Sequence, residues 1–387
     1  MKNILFVHQS ADLYGSDKTL LFLVDSIKDT VNPIVVVPEE GPLTDELKKI
    51  DVEVLIIPVL KVSRELFKKI NILKFPFQIF KAIYILRKKI GKRKIDIIHS
   101  NTLAVFLGAF YGKIYRIKHI WHVHEIILYP KVVAKSYPFL VNLFSDFVVF
   151  NSLASAENLY KSKPKLKFKS EIIYNGLNRT TSFLVEEERL VVRKNLFKNI
   201  QNDSIIIGLV GRINKHKGQQ LLLNVFEKLK KENIENIYLL FIGSPIKSQQ
   251  FLLEGIKNEI KHKNLENVVT IINFQKEIWN YYDCIDIIIV PTTDPEPFGL
   301  VAVEGMLSQK PIIAANHGGL KEIVVHYKTG LLFEPCNESD LKRSIETLIY
   351  NKNLLSLFGR EGENRAKTEF SLEKYVTNFK NLYTKFL

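Results

Sequence analysis

Ile285-Asp286-Ile287-Ile288-Ile289-Val290 is followed, three residues on, by Asp294-Pro295-Glu296-Pro297-Phe298-Gly299-Leu300-Val301-Ala302-Val303-Glu304-Gly305. The first run is β-branched and almost wholly apolar, as a strand buried on both faces must be. The second has a Pro-Phe-Gly turn that opens a helix. Strand, tight loop and helix in that order form the repeating unit of a parallel sheet. The same unit aims the unpaired N–H groups of the first helical turn at whatever lies above the strand's end, a place suited to a diphosphate. Glu296 falls in the loop and Glu304 about two turns into the helix, roughly 12 Å along it at 1.5 Å per residue.

The pattern repeats outward in both directions. Apolar, β-branched runs occupy residues 4–7, 33–37, 52–57, 95–98, 119–123, 147–150 and 171–174, then 205–210, 237–242, 268–272, 285–290, 311–314 and 330–333. Helical stretches lie between them. Strands hydrophobic throughout and alternating with helices predict parallel sheets covered on both faces. Two such series, in a chain of 387 residues, predict two Rossmann-like, doubly wound α/β domains. The expected divisions are a first domain over 1–178, a polar linker over 179–202 and a second domain over 203–370. Residues 371–387 carry Leu372, Tyr375, Val376, Phe379, Leu382 and Tyr383 at helical spacing.

The net charge of +14 is uneven. Residues 1–178 hold 27 Lys and Arg against 16 Asp and Glu. Twelve of those cations fall between Lys61 and Lys94, opposed there only by Glu65 and interleaved with large apolar residues. That is the composition of a helix lying on an anionic membrane surface. A second basic strip follows at Lys161, Lys163, Lys165, Lys167 and Lys169. No zinc-finger, helix-turn-helix or RNA-recognition signature accompanies these cations, so no nucleic acid partner is expected. The two cysteines, Cys284 and Cys336, make neither a disulfide framework nor a metal cluster. Lys2 precedes only Ile4-Leu5-Phe6-Val7, too short for a secretory signal. No apolar run approaches the roughly 18 residues of a membrane span. A cytoplasmic protein, peripheral at the inner face of the membrane, is expected.

The second half opens with Gly208-Leu209-Val210-Gly211-Arg212-Ile213-Asn214-Lys215-His216-Lys217-Gly218. Arg212 offers a fork to phosphate oxygens and Lys217 a point charge. With the Glu-Pro-Phe-Gly string this resembles the retaining glycosyltransferases of family GT4, glycosyl transferases group 1, in which two glutamates stand eight positions apart. Phe241-Ile242-Gly243-Ser244 is similar to the family's glycine beside the nucleotide, and Asn273-Phe274 lies where the nucleobase pocket is expected. Gly318-Gly319-Leu320-Lys321-Glu322 and Thr329-Gly330-Leu331-Leu332 resemble the family's later glycine turns and read as structural. In the first half, Trp121-His122-Val123-His124-Glu125 resembles its His-x-His-Glu element. Tyr14-Gly15-Ser16-Asp17 stands where the family often has Gly-Gly-Ala-Glu, with Tyr14 in place of the first glycine. Asn101 and Asn175-Gly176 also match family patterns.

The resemblance implies the GT-B architecture, two Rossmann-like domains facing a central cleft, with the final helix crossing back to the first domain. It implies transfer of a sugar from a nucleotide diphosphate sugar, with retention, to a saccharide or lipid-linked saccharide in surface polysaccharide biosynthesis. The implied catalytic residues are His124, Arg212, Lys217 and Glu296. Donor binding falls to Gly15, Arg212, Lys217, Gly243, Glu296, Phe298, Gly299, Leu300 and Glu304. Glu296 would orient the sugar hydroxyls and Glu304 the ribose. Arg212 and Lys217 would neutralise the leaving diphosphate, so neither metal nor cofactor is expected. A nucleotide-sugar epimerase of the same architecture would consume donor with no acceptor. A non-catalytic sugar-nucleotide or polyanion-binding protein would not need Arg212, Lys217, Glu296 and Glu304 together.

Overall fold

A computed structural model describes residues 1–59 and 69–387, which divide into two compact units. Met1–Leu177 together with Leu372–Leu387 form the first, and Asn178–Ser371 the second.

The first unit is built on a seven-stranded, wholly parallel sheet. Its strands are β1 (Asn3–His8), β2 (Asn32–Val37), β3 (Glu53–Ile56), β4 (Ile97–Asn101), β5 (Lys118–Val123), β6 (Phe147–Phe150) and β7 (Ser170–Ile172). The order is β3-β2-β1-β4-β5-β6-β7, so the winding reverses between β1 and β4. Loops diverge at such a reversal and leave a crevice above the strand ends. Helix Gly15–Ile27 covers one face with Leu20, Leu23, Val24 and Ile27, apolar at helical spacing. Helix Leu372–Thr384 lies on the same face and buries Tyr375, Val376, Phe379, Leu382 and Tyr383. Helix Lys69–Ile90 covers the opposite face with Ala82, Ile83, Leu86 and Ile90. Each such buried aliphatic side chain stabilises the fold by roughly 1.5–3 kcal/mol.

β4 extends past the expected end at Ile98 through His99, Ser100 and Asn101, all buried. Most of their polar atoms are bonded there: His99 Nδ1 lies 2.7 Å from the Tyr383 hydroxyl, though its Nε2 is buried with no partner among the described residues. The basic segment Lys61–Lys94 lies partly outside the described residues. Where helix Lys69–Ile90 is described at side-chain level, Phe77, Phe80 and Tyr84 are exposed, as are Lys81, Lys88 and Lys89.

The second unit has a six-stranded parallel sheet of β8 (Ile205–Val210), β9 (Ile237–Ile242), β10 (Val269–Ile272), β11 (Ile287–Val290), β12 (Ile312–Ala315) and β13 (Gly330–Phe333). The order β10-β9-β8-β11-β12-β13 reverses between β8 and β11. β11 starts two residues later than its apolar run. At Asp286 the main-chain N–H still donates to Ile206 O at 2.8 Å, while the carboxylate accepts the Ile206 N–H at 2.8 Å and pairs with Arg189 and Arg193 at 2.6 and 2.9 Å. Those arginines stand on helix Glu186–Leu196, so part of the stretch read as a linker is built into this unit. Arg179 adds a two-pronged bond to Asp283, at 2.8 and 2.7 Å.

Candidate active site

In the second unit, the loops after β8 and β11 stand side by side at the reversal of strand order. Asn214 Oδ1 accepts from the main-chain N–H groups of His216 and Lys217 at 2.8 and 3.0 Å, which folds the first loop into an Asx turn. Thr293 N–H donates to His216 O at 2.9 Å and ties the second loop to it. Lys217 Nζ and Glu296 Oε2 then meet at 2.7 Å, both side chains mostly buried. Arg212 follows Gly211 at the end of β8, half-buried, and its carbonyl accepts from Gln219 Nε2 at 3.1 Å.

Glycines hold this geometry. Gly299 caps helix Leu300–Leu307 with φ +115°, and a Cβ there would lie 2.6 Å from Leu320 Cδ2. Gly243 follows β9 with φ +149°, and a Cβ would lie 2.0 Å from the Gly211 carbonyl oxygen. The Gly318-Gly319 turn, read from sequence as structural, bears directly on the site: Gly319 N–H donates to Glu296 O at 2.7 Å. Phe298 is buried edge-on against Phe370, with ring centroids 5.7 Å apart. Leu300 is the first helical residue. Near the expected nucleobase position, Phe274 N–H donates to Ser244 Oγ at 3.0 Å.

Glu304 is the fifth residue of helix Leu300–Leu307, one turn in where two had been expected, because Gly299 delays the helix start. It is buried and accepts from the Tyr282 hydroxyl at 2.7 Å. Burial and then the adjacent carboxylate push the Tyr282 pKa well up, so that hydroxyl stays a donor. Sequence reading missed Tyr282, which lies on the short helix Trp279–Cys284 and carries no motif.

In the first unit the reversal sets His8, at the end of β1, beside Asn101, at the end of β4, as register partners. His124 follows β5 directly, and its Nε2 lies 2.8 Å from Asn101 Oδ1. His8 Nε2 lies 2.6 Å from Asp17 Oδ1. Asp17 also accepts from Ser10 Oγ at 2.7 Å and from Tyr14 N–H at 3.0 Å, just ahead of Gly15, the first residue of its helix. Burial opposes charge on Asp17, but these bonds outweigh it and hold its pKa below the usual carboxylate value. Burial, aided by His8, drives His124 down to about 3, so its imidazole is neutral. Burial raises Glu125 to about 7, although its Oε2 accepts from the N–H groups of Leu103 and His124 at 2.9 and 3.1 Å. Asp17 and Glu125 were read only as the last residues of two family-like strings, with no role of their own, and His8 was given no role. The visible signal was His8 itself, a histidine closing the first strand. Among the described residues no cluster of His, Cys, Asp or Glu is arranged to hold a metal ion.

The family described as glycosyl transferases group 1 matches residues 193–365, and Glycosyltransferase Family 4 matches residues 28–180. An uncharacterized glycosyltransferase of Methanocaldococcus jannaschii is 29% identical over 305 residues, 76% of this chain and 78% of its own. The lipopolysaccharide 1,2-N-acetylglucosaminetransferase of Salmonella typhimurium is 31% identical over 190 residues, 47% of this chain and 48% of its own. Among solved structures, Anabaena HepE in complex with UDP-glucose superposes with a TM-score of 0.85 at 22% identity, covering 100% of both chains.

Proposed function

Since the chain belongs to the group 1 glycosyltransferases and has the GT-B fold, we propose that it moves a sugar from a nucleotide diphosphate sugar to a saccharide or lipid-linked saccharide, with retention and without a metal ion. The observation that carries this reading is the Lys217–Glu296 pair, with Arg212 on the same loop as Lys217, at the β8/β11 reversal. A diphosphate brought to that point competes with Glu296 for Lys217. The carboxylate is thereby released toward sugar hydroxyls as the cation takes up phosphate charge. In the transfer, the bond from the anomeric carbon to the β-phosphate oxygen breaks. A bond to the acceptor oxygen forms on the same face, and the acceptor's proton passes to the departing phosphate. Arg212 and Lys217 stabilise the negative charge that grows on that phosphate. Glu304, fixed by Tyr282, addresses the ribose, and His124 the donor sugar.

The similarity to a lipopolysaccharide enzyme supports an acceptor in surface polysaccharide assembly, and the HepE complex makes UDP-sugars the first donors to try. Two faces of the first unit support contact with an anionic membrane. One is the exposed Phe77, Phe80 and Tyr84 among lysines on helix Lys69–Ile90. The other joins exposed Phe139 and Leu143 on helix Lys131–Phe144 to Phe168, which is 92% exposed, with Lys163 Nζ 4.9 Å from the Phe139 ring. No described helix is long and apolar enough to cross a membrane.

The test is thermal stabilisation by UDP-, GDP- and ADP-sugars in the presence of EDTA, on the wild type, Arg212→Ala and Lys217→Ala. A ligand of the native state raises the melting temperature by mass action. One nucleotide family should stabilise the wild type and leave both variants unmoved. Product from that donor should keep its anomeric configuration by NMR. Binding that needs Mn²⁺, or an inverted product, sinks the mechanism. Donor consumed without any acceptor points instead to an epimerase.

A further inference from the structure

Sugar transfer as set out above leaves unexplained the polar chain behind His124. His124 Nε2 lies 2.8 Å from Asn101 Oδ1, Asn101 Nδ2 3.0 Å from His8 Nδ1, and His8 Nε2 2.6 Å from Asp17 Oδ1. The chain begins at a carboxylate that can only accept, which fixes the direction of every later bond. Asp17 accepts a hydrogen bond from His8 Nε2–H. His8 Nδ1 keeps a lone pair and accepts from the Asn101 amide. The Asn101 carbonyl oxygen is left to accept from His124 Nε2–H. The reverse arrangement would need His8 as an imidazolium, donating from Nδ1 to the Asn101 main-chain oxygen 3.2 Å away, with the side-chain amide turned over. The Ser16 carbonyl oxygen argues against that turn. It lies 3.3 Å from Asn101 Nδ2, a fit for an N–H and a repulsion for an oxygen.

We propose that Asp17, His8 and Asn101 are positioning residues that hold His124 as its Nε2–H tautomer, with the Nδ1 lone pair presented as an acceptor for a substrate hydroxyl. An amide passes no proton onward without becoming an imidic acid, so the chain orients His124 and does not conduct. It also joins two places that the sequence keeps far apart. Asp17 holds the Tyr14 N–H and Asn101 holds the Ser16 carbonyl, so the Tyr14-Gly15-Ser16 turn and the His124 ring share one set of bonds. A shift of that turn on ligand binding is felt at His124 through Asn101.

Only the kinetic half of the test rests on the glycosyltransferase reading. The tautomer is read directly from long-range ¹H–¹⁵N spectra of protein labelled in its histidine side chains, with His124→Gln identifying the signal. Wild type should show a neutral Nε2–H ring at His124. Asn101→Ala should show mixed tautomers, and Asn101→Asp, whose carboxylate still accepts from Nε2–H, should restore the single form. In turnover, Asn101→Ala should lower kcat about 10- to 100-fold, the usual cost of losing an orienting partner, with donor KM little changed. Asn101→Asp should recover most of that loss. Nucleotide-induced stabilisation, which reports on the second unit, should be equal in all three and shows that each is folded. A wild-type Nδ1–H tautomer, or a single tautomer surviving in Asn101→Ala, overturns the proposal even if sugar transfer is demonstrated. Failure of every nucleotide sugar to bind leaves the tautomer result standing and removes the transfer reading.

Discussion

Glu125 and the buried histidines of the first unit oppose each other as pH changes. Burial holds His119 down to about 4 and His124 down to about 3, and His99 and His122 well below their ordinary value. A base depressed in the folded state contributes stability that is complete above its unfolded pKa, near 6.5, and is lost as pH falls toward the folded value. His119 alone accounts for about 3 kcal/mol by that linkage, so the first unit should be acid-labile, losing stability steeply below about pH 6.5. Glu125 has the opposite sign. Its pKa is raised to about 7, so its contribution is complete below the unfolded carboxylate value and is lost as pH rises toward 7. Urea titrations of Glu125→Gln and wild type should therefore diverge with pH, the variant gaining up to about 3 kcal/mol over wild type between about pH 5 and pH 8. A difference that stays constant would mean that Glu125 is ionised throughout. Tyr282→Phe is a smaller change. It removes the hydroxyl that serves Glu304 and should cost about 1–3 kcal/mol, read as a lower urea midpoint. Charged residues of the donor loops were legible from sequence because their spacing is local. Tyr282 was not, since what singles it out is Glu304, a partner brought in by the fold.

At the scale of elements, the least legible part of the chain is helix Glu186–Leu196. Its run of Glu and Arg reads as a solvated face, yet Arg193 is 2% exposed and donates to Asp286 Oδ2, to the Cys284 carbonyl and to the Ser204 carbonyl. No periodicity marks those contacts, because Asp286 lies more than ninety residues further along. Breaking a buried pair from one side strands the other charge. Asp286→Ala leaves Arg193 in that position and frees the Ile206 N–H as well, and should destabilise the second unit by about 3–5 kcal/mol. Calorimetry checks this: one transition should fall while that of the first unit holds. Equal shifts in both would show that the two units unfold together. The strands were far easier to read. Runs such as residues 205–209 are buried throughout, and a parallel sheet covered on both faces favours that composition.

Across the whole molecule, two parallel sheets of seven and six strands were readable from the recurrence of apolar runs. What recurrence does not contain is how a unit closes. The first unit is discontinuous, completed by Leu372–Leu387 after the entire second unit. Phe379 and Tyr383 fill its core, and the Tyr383 hydroxyl meets His99. Ending the chain after Ser371 should raise hydrogen exchange in β1 and β4 by orders of magnitude, while nucleotide-induced stabilisation of the second unit survives. Unchanged exchange would mean that the helix only decorates a finished core. The same arrangement sets an order of events on the ribosome. β1 emerges early, but the helix that seals its sheet is translated only after residues 178–371. At about 5–20 residues per second that is a wait of roughly 10–40 s. Throughout it, the nascent first unit carries an open apolar groove in a crowded cell, which makes it a natural client for chaperones that bind unfinished chains.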